Sequence, residues 1–281
     1  MLGEILDGGQ AFRWKRREDE TWLGTFGLHI VRVSLDGERR AQWSAPAGHE
    51  AVTAAPMIRY WEGERALAEL VDSLPWRSDA HLARCLAEFP GLRILRQPFG
   101  ETLLCFLCSA TKQIVQIRQM VALLADRHGS VLFPNASLVP SHSSLPAWPT
   151  LAKIPEAELR KCQLGFRARY IHQTAKFLAA HPGWLEETEF LPYPEAKERL
   201  CSLPGVGEKV ADCVLLFGAG RIEAFPVDTW ILKTMAARYG LHGWKPAQVA
   251  QFGRAHFGPL AGLAQQYLFA WERKEAKREK R

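Results

Sequence analysis

Two patterns of apolar positions divide the chain near residue 62. In the first part, segments rich in aromatic and β-branched residues alternate with turn-prone or charged positions, and these segments are Ala11–Trp14, Thr21–Phe26, Leu28–Ser34 and Ala41–Ser44. Such segments are typical of antiparallel strands, and Asp36-Gly37 is a good hairpin turn. We therefore predict a small antiparallel β domain over residues 1–62, with a second layer covering one face of its sheet.

From Gly63 onward, apolar residues recur at helical spacing. The predicted helices are Arg65–Leu74, Thr102–Ala125, Glu156–Cys162, Ala168–Ala180, Glu195–Leu203 and Gly207–Gly218, and the last stretch, Ala247–Trp271, is predicted to be helical with breaks at glycines. Phe133–Pro155 is rich in Pro and Ser and is predicted to be a loop. The predicted fold class is α+β, with the β domain followed by a mostly α-helical body over residues 63–281.

The composition fits a folded protein that works inside the cell. Of the 281 residues, 47% are hydrophobic and 23% are charged, which is enough to bury a sizeable core. No apolar run approaches the roughly 18–20 residues of a membrane span, and residues 1–10 do not resemble a signal peptide. The net charge of +6 permits a polyanionic partner. However, the last ten residues hold six Lys or Arg against three Glu, and a solvated helix end explains this excess equally well.

The six cysteines do not indicate a metal or a cofactor. Cys105 and Cys108 form a C-x-x-C within the apolar run Leu103–Leu107, where a helix would bury them as small apolar residues. A redox protein that uses these two thiols remains an alternative, and slow alkylation would argue against it. Neither a tight four-cysteine cluster nor a zinc-like Cys/His spacing is found in the sequence, so we expect no iron–sulfur cluster, no metal and no cofactor.

The most informative segment is Leu200–Val214, which reads LCSLPGVGEKVADCV. It predicts a tight turn between two helices, in which Gly205 and Gly207 allow a close approach of the backbone to a partner. Val206 can pack at the tip of the turn, and the free N–H groups of the second helix can bind a phosphate. This is a helix-hairpin-helix over about residues 195–218, a motif that binds DNA phosphates without reading sequence.

A glycine-rich turn without a ligand is the alternative for this segment. A lone Gly-x-Gly would favour that alternative. The longer pattern L-P-G-V-G-x-K-V-A-D, followed by Pro226-Val227-Asp228-Thr229 in the loop of about residues 224–230, favours the DNA-binding hairpin.

With these residues the sequence resembles the helix-hairpin-helix glycosylase superfamily and, within it, the 8-oxoguanine DNA glycosylases. The resemblance covers nearly the whole chain. It is carried, in order, by Gly8–Trp14, Leu95–Gln97, Phe106–Ser109, Leu164–Tyr170, the hairpin and Gly258–Gln265. It implies a monomeric base-excision-repair glycosylase and lyase that flips an oxidised purine out of double-stranded DNA.

The resemblance assigns the chemistry to Lys209 and Asp228. Lys209 would attack the sugar C1′ as a neutral amine and form an iminium intermediate. The Asp228 carboxylate would stabilise the positive charge that develops on C1′. From the residues alone, Lys209 could instead bind a phosphate, and Asp228 could cap a helix that begins at Thr229.

The resemblance also implies which residues contact the DNA. The carbonyl of Gly9 would accept a hydrogen bond from N7 of the oxidised base, Cys213 and Phe269 would sandwich that base, and Gln265 would read its Watson–Crick edge. The implied DNA-binding residues are Gly205, Val206, Gly207, Arg167, Phe166 and Thr111.

Three positions depart from the pattern of the resembled family. Thr111 stands where that family has the asparagine that fills the space left by the flipped base. Gln116 replaces one of two arginines that read the opposite cytosine, while Arg167 keeps the other. Trp230 replaces a histidine that contacts a phosphate. The sequence therefore does not predict a preference for cytosine opposite the lesion.

Two further alternatives stay open. A glycosylase for alkylated or other damaged bases would share the fold, although such relatives often lack the lysine. A non-catalytic DNA-binding module would need neither the Lys209–Asp228 pair nor Gln265.

Overall fold

A computed structural model describes residues 2–38, 40–63, 66–133 and 142–278. Its strands are β1 (Trp14–Arg16), β2 (Trp22–Phe26), β3 (His29–Leu35), β4 (Ala41–Ser44), β5 (Val131–Leu132) and β6 (His142–Ser143). Its first helices are α1 (Leu2–Asp7), α2 (Glu50–Tyr60), α3 (Leu67–Asp72), α4 (Ala80–Glu88), α5 (Phe99–Leu107), α6 (Ile114–His128), α7 (Trp148–Leu151) and α8 (Glu156–Leu159). The later helices are α9 (Arg167–Ala180), α10 (Trp184–Phe190), α11 (Tyr193–Cys201), α12 (Glu208–Gly218), α13 (Thr229–Tyr239), α14 (Pro246–Phe257) and α15 (Ala261–Arg278).

The predicted α+β fold class is confirmed. Strands β1 to β4 form one antiparallel sheet in the order β1-β2-β3-β4, and three of the four predicted strands agree with it to within one residue. The first predicted strand is shifted, because β1 begins only at Trp14.

Helix α2 covers one face of this sheet through Tyr60. The Tyr60 hydroxyl accepts a hydrogen bond of 2.8 Å from Trp14 Nε1, and its ring stacks on Phe26 at 4.4 Å between centroids. The Trp14 ring lies against Gly24, where a Cβ would come within 2.2 Å of it. The second layer expected from the sequence is therefore present.

Helices α5 and α12 pack together in the core of the helical body. The rings of Phe106 and Phe217 stack with centroids 5.5 Å apart, and a Cβ on Gly218 would come within 2.9 Å of the Phe99 ring. This packing matters for function because it brings the end of α5 beside the start of α12.

The prediction of a single helix over Thr102–Ala125 is wrong. Helix α5 ends at Leu107 and α6 begins at Ile114, and Thr111 between them has a left-handed φ of +54°. Apolar residues recur at helical spacing on both sides of this turn, but the residues at the centre of the turn are polar. Gln113 is the N-cap residue of α6, and its backbone N–H donates a hydrogen bond of 3.1 Å to the side-chain oxygen Oε1 of Gln116.

Several helices were not predicted, namely α1, α2, α4, α7 and α10. Helix α2 contains Pro56 and many small residues, so its apolar stripe is weak. Helix α4 has a buried face with Leu82 and Cys85 but spans only nine residues, and its N-cap Asp79 accepts hydrogen bonds from the N–H groups of His81 and Leu82. Local caps of this kind are harder to recognise than long apolar stripes.

Parts of three predicted segments lie outside the described residues, namely Arg65 of the helix Arg65–Leu74, residues 134–141 of the loop Phe133–Pro155 and the last three residues of the tail. The described part of that loop contains β6 and α7. Among the described residues, no helix is long and apolar enough to cross a membrane.

Candidate active site

The turn between α11 and α12 has the geometry expected of a helix-hairpin-helix. Gly205 has a φ of +80°, and a Cβ there would lie only 2.7 Å from the Tyr170 side chain, so the position requires glycine. Val206 is buried beneath the tip. Gly207 is exposed, and a Cβ there would meet no atom within 4 Å. The backbone at Gly207, just before the first N–H groups of α12, is thus open to a phosphate.

Lys209 lies in the first turn of α12 and points back toward the end of α5. Its Nζ donates a hydrogen bond of 3.2 Å to Ser109 Oγ and lies 5.2 Å from the centroid of the Phe106 ring. Ser109 Oγ in turn donates to the carbonyl of Phe106 at 2.7 Å. The packing of α5 against α12 therefore fixes the position of the amine.

Asp228 is the N-cap of α13. Its Oδ1 accepts a hydrogen bond of 2.9 Å from the N–H of Ile231. Burial raises the pKa of the Asp228 carboxyl above its ordinary value, while the Ile231 hydrogen bond and the charge of Lys209 act in the opposite direction. The amine and the carboxylate therefore share one electrostatic environment.

Cys213 lies one turn after Lys209 on the same helix. It is buried, and burial raises the pKa of its thiol to about 12, opposed by the nearby Lys209. The thiol is thus neutral at pH 7. All six cysteines are free, and both Cys105 and Cys108 are buried with thiol pKa values raised by that burial.

Gly9 and Phe269 meet although they come from opposite ends of the chain. A Cβ on Gly9, whose φ is +103°, would lie 3.5 Å from Phe269 and 2.8 Å from Cδ1 of Ile114. Sequence analysis did not select Ile114, because the single helix predicted over Thr102–Ala125 gave no reason to separate it from its neighbours. In the structure it is the first residue of α6. Its side chain adds an apolar wall next to Gly9 and Phe269.

Gln265 is 4% exposed, and both the nitrogen and the oxygen of its side-chain amide form a hydrogen bond within the protein. Its Nε2 donates to the carbonyl of Pro226 at 3.1 Å, and its Oε1 accepts from Gln266 Nε2 at 2.7 Å. These bonds connect α15 to the loop that carries Asp228. Together these bonds use one N–H and one lone pair of the amide, so a second N–H and a second lone pair are left to read a base edge.

The other sequence-predicted residues differ in exposure. Phe166 is 51% exposed, and the centroid of its ring lies 4.4 Å from Cζ of the Arg167 guanidinium. Arg167 itself is only 2% exposed. Thr111 and Gln116 are exposed, whereas Trp230 is half-buried with Lys233 Nζ 5.8 Å from its ring. The Phe166 ring is therefore exposed, whereas the Arg167 side chain is packed within the protein.

Two family models match the chain, and together they span most of it. Residues 1–103 match the N-terminal domain of 8-oxoguanine DNA glycosylase, and residues 106–256 match the HhH-GPD superfamily of base excision DNA repair proteins. Among curated proteins, the chain is 32% identical to N-glycosylase/DNA lyase OGG1 of Arabidopsis thaliana over 277 residues, which cover 94% of this chain and 75% of that protein. It is 29% identical to N-glycosylase/DNA lyase of Saccharomyces cerevisiae over 258 residues, covering 85% and 68% of the two chains.

Solved structures agree with these matches. The structure of Clostridium acetobutylicum 8-oxoguanine glycosylase/lyase in complex with DNA containing cytosine opposite 8-oxoguanine superposes with a TM-score of 0.90 at 31% identity, covering 98% of this chain and 92% of that one. A 3-methyladenine DNA glycosylase from Archaeoglobus fulgidus superposes with a TM-score of 0.74 at 20% identity, covering 98% and 92% of the two chains. At that identity the second likeness concerns the fold alone.

The fold and these matches define a helix-hairpin-helix base-excision repair protein. Within that class, the chain belongs to the 8-oxoguanine DNA glycosylase family. It is a DNA glycosylase with associated lyase activity, and its partner is double-stranded DNA. The two non-enzymatic alternatives, a DNA-binding module and a redox protein, are thereby excluded.

Proposed function

We propose that the chain excises 8-oxoguanine from duplex DNA through a covalent lysine intermediate, with Lys209 as the nucleophile and Asp228 as its carboxylate partner. The observation that carries this proposal is the convergence of an amine at the start of α12 and a carboxylate at the start of α13, each within electrostatic range of the other. A half-buried carboxylate beside a lysine at the hairpin is the arrangement that this reaction requires.

The proposed reaction begins when the damaged nucleotide rotates out of the duplex, with the phosphate backbone held at Gly205–Gly207. As the glycosidic bond breaks, its electron pair leaves with the base, and positive charge develops on C1′. The ionised Asp228 stabilises that charge. The departed base takes a proton from water, and the unprotonated Lys209 amine bonds to C1′. One proton of the new ammonium passes to the ring oxygen as the C1′–O4′ bond breaks, which leaves a 4′ hydroxyl and an iminium. The iminium then loses a proton from C2′, and the 3′ phosphate leaves with the electron pair of its C–O bond.

The proposed base pocket lies between Cys213 and Phe269. A neutral thiol suits the face of an uncharged base, since it adds no charge that would have to be desolvated. The Gly9 carbonyl would accept the N7 hydrogen that 8-oxoguanine has and guanine lacks, so guanine would leave that acceptor unpaired. Gln265 would read the Watson–Crick edge with its second N–H and its second lone pair, while Pro226 and Gln266 hold the amide in place.

We propose that the enzyme acts as a monomer without metal, iron–sulfur cluster or cofactor, because one flipped base needs one pocket and the amine supplies the nucleophile. It would work where the DNA is, in the nucleoid of a bacterium or the nucleus of a eukaryote. Its proposed domains are the β domain at residues 1–62 and the helical body at residues 63–281.

The test is borohydride trapping on a duplex that carries one 8-oxoguanine. We expect a covalent protein–DNA adduct from the unaltered protein and from the control Lys15→Gln, which changes an exposed lysine of β1. Lys209→Gln should bind the duplex and give no adduct. An adduct that survives Lys209→Gln would overturn the nucleophile assignment. If the adduct forms only on a duplex with another lesion, the lysine chemistry stands, and the substrate is an alkylated or otherwise damaged base.

A further inference from the structure

The turn between α5 and α6 contains a strained residue at the edge of the proposed site. Thr111 has a φ of +54°, in the left-handed region. A β-branched side chain is rarely found there, because its second γ atom crowds the backbone. Such a residue persists only when its surroundings hold it in place.

The guanidinium of Arg167, at the start of α9, holds this residue. Its Nε donates to the carbonyl of Ala110 at 3.0 Å, and its Nη2 donates to the same carbonyl and to Thr111 Oγ1, the latter at 3.0 Å. Its Nη1 donates to the carbonyl of Leu164 at 3.1 Å. One planar fork therefore fixes both the peptide before Thr111 and the Thr111 side chain, which a single ammonium could not do.

The same guanidinium connects two parts of the proposed DNA surface. Ser109, the neighbour of Ala110, accepts the hydrogen bond from Lys209. On its other side, Arg167 lies over the ring of the exposed Phe166. A change at Arg167 would therefore affect the strained turn, the partner of Lys209 and the aromatic wedge together.

We propose that Arg167 is a positioning residue, which holds Thr111 in its left-handed conformation and so places Ser109–Thr111 against both the duplex and Lys209. This role does not depend on which base lies opposite the lesion. Its geometric basis is that the guanidinium bonds to the Ala110 and Leu164 carbonyls and to the Thr111 hydroxyl, and that the side chain is almost fully buried. The inference rests on the proposed function in one respect, because the experiment that tests it measures the release of 8-oxoguanine.

The experiment is a double-mutant cycle between Arg167 and Thr111. Single-turnover release of 8-oxoguanine is measured with saturating protein, opposite each of the four bases, for Arg167→Met, Thr111→Gly and the double variant. Glycine adopts a positive φ without strain, so the turn no longer needs the guanidinium. We expect Arg167→Met to slow release about tenfold in the parent and less than about threefold in the Thr111→Gly background.

The identity of the base opposite the lesion distinguishes a positioning role of Arg167 from a base-reading role. A positioning role predicts that Arg167→Met slows release by the same factor opposite cytosine, adenine, guanine and thymine. If the loss is confined to cytosine, or if Thr111→Gly fails to reduce it, Arg167 reads the base and the proposal is wrong. Arg167→Lys, which keeps the charge but not the fork, should behave like Arg167→Met and provides a second variant if the methionine destabilises the fold.

Arg77 offers a matched control outside the site. Its guanidinium also lies over an aromatic ring, 4.2 Å from Trp76, and donates to Asp72 Oδ1 at 2.7 Å. Arg77→Met should leave the release rates unchanged, and a tenfold loss there would show that the Arg167 effect is not specific to the turn. If the unaltered protein releases no 8-oxoguanine opposite any base, the proposed function fails instead, which is a distinguishable result.

Discussion

Asp228 caps α13 and, in the proposed reaction, also carries a charge, and these two tasks make opposite demands on its carboxyl group. As the cap of α13 it accepts a hydrogen bond from the N–H of Ile231, which the carbonyl oxygen of an amide or of a neutral acid could also accept. To stabilise positive charge on C1′ it must be ionised, yet burial raises its pKa and disfavours that form. The residue thus gives up some stability for a charge that is needed only during catalysis.

This conflict predicts that Asp228→Asn lowers activity without destabilising the protein. The folded-state pKa of Asp228 lies above its unfolded value. The resulting cost to stability is absent below the unfolded pKa and fully present once the pH rises above the folded pKa. Asparagine keeps the cap and avoids that cost, so we expect an equal or higher Tm at pH 7 and base release slower by roughly 10²-fold. Thermal unfolding and single-turnover release measure the two quantities.

The pH dependence provides the check on this assignment. Release by the unaltered protein should decline as the pH falls through the raised pKa of Asp228, starting above the ordinary carboxyl value of about 4. In Asp228→Asn this acid limb should disappear. A limb of the same position and depth in both proteins would assign it to another group and remove Asp228 from the chemistry.

At the scale of elements, the two glycines of the hairpin have different structural roles. Gly205 has a positive φ and touches the Tyr170 ring, whereas Gly207 has an extended conformation with open space where a Cβ would be. The first glycine is required by the fold of the turn. The second keeps the backbone accessible to a partner.

Alanine substitution should separate these two roles. Gly205→Ala adds a strained φ and a clash with Tyr170, so we expect a loss of roughly 1–3 kcal/mol in the free energy of unfolding, together with weaker DNA binding. Gly207→Ala should leave the free energy of unfolding unchanged and still weaken binding, because its methyl group obstructs the phosphate. Urea unfolding and binding at fixed salt give the two values. If both variants lose stability equally, the distinction between the two glycines is wrong.

Elements with strong local signals could be predicted from the sequence, and elements that depend on distant contacts could not. The hairpin was recognised because its glycines, its valine and the first residues of α12 are adjacent in sequence. The turn at Thr111 was missed because the apolar periodicity continues through it, and the arginine that holds it lies 56 residues further along the chain. The partners of Gln265 were unpredictable for the same reason, since Pro226 reaches it only through tertiary packing.

At the scale of the whole molecule, the proposed pocket combines residues from both ends of the chain. Gly9 precedes the sheet, Phe269 lies on the last helix, and a Cβ on Gly9 would lie 3.5 Å from the Phe269 ring. Arg273 on that helix also pairs with Glu4 at 2.6 Å. The pocket can therefore form only when the N-terminal segment is assembled on the helical body.

Gln10 joins the N-terminal segment to the body, so its loss should reduce the stability of the whole molecule. The side chain is buried; its Nε2 donates to the carbonyl of Arg93 at 3.0 Å, and its Oε1 accepts from the N–H of Leu95 at 2.9 Å. Gln10→Ala would leave both backbone groups without that partner. We expect the free energy of unfolding to fall by about 2–3 kcal/mol while unfolding remains a single transition.

Two probes of unfolding, near-UV circular dichroism and loss of trapping competence, should coincide in urea for both the parent and Gln10→Ala. The control is Gln42→Ala, which removes an exposed amide of β4 bonded to Asp36 at 3.1 Å and should change little. If Gln10→Ala instead loses trapping competence well before its circular dichroism changes, the N-terminal segment detaches by itself. The pocket would then depend on a docking equilibrium between the segment and the body, rather than on one cooperative fold.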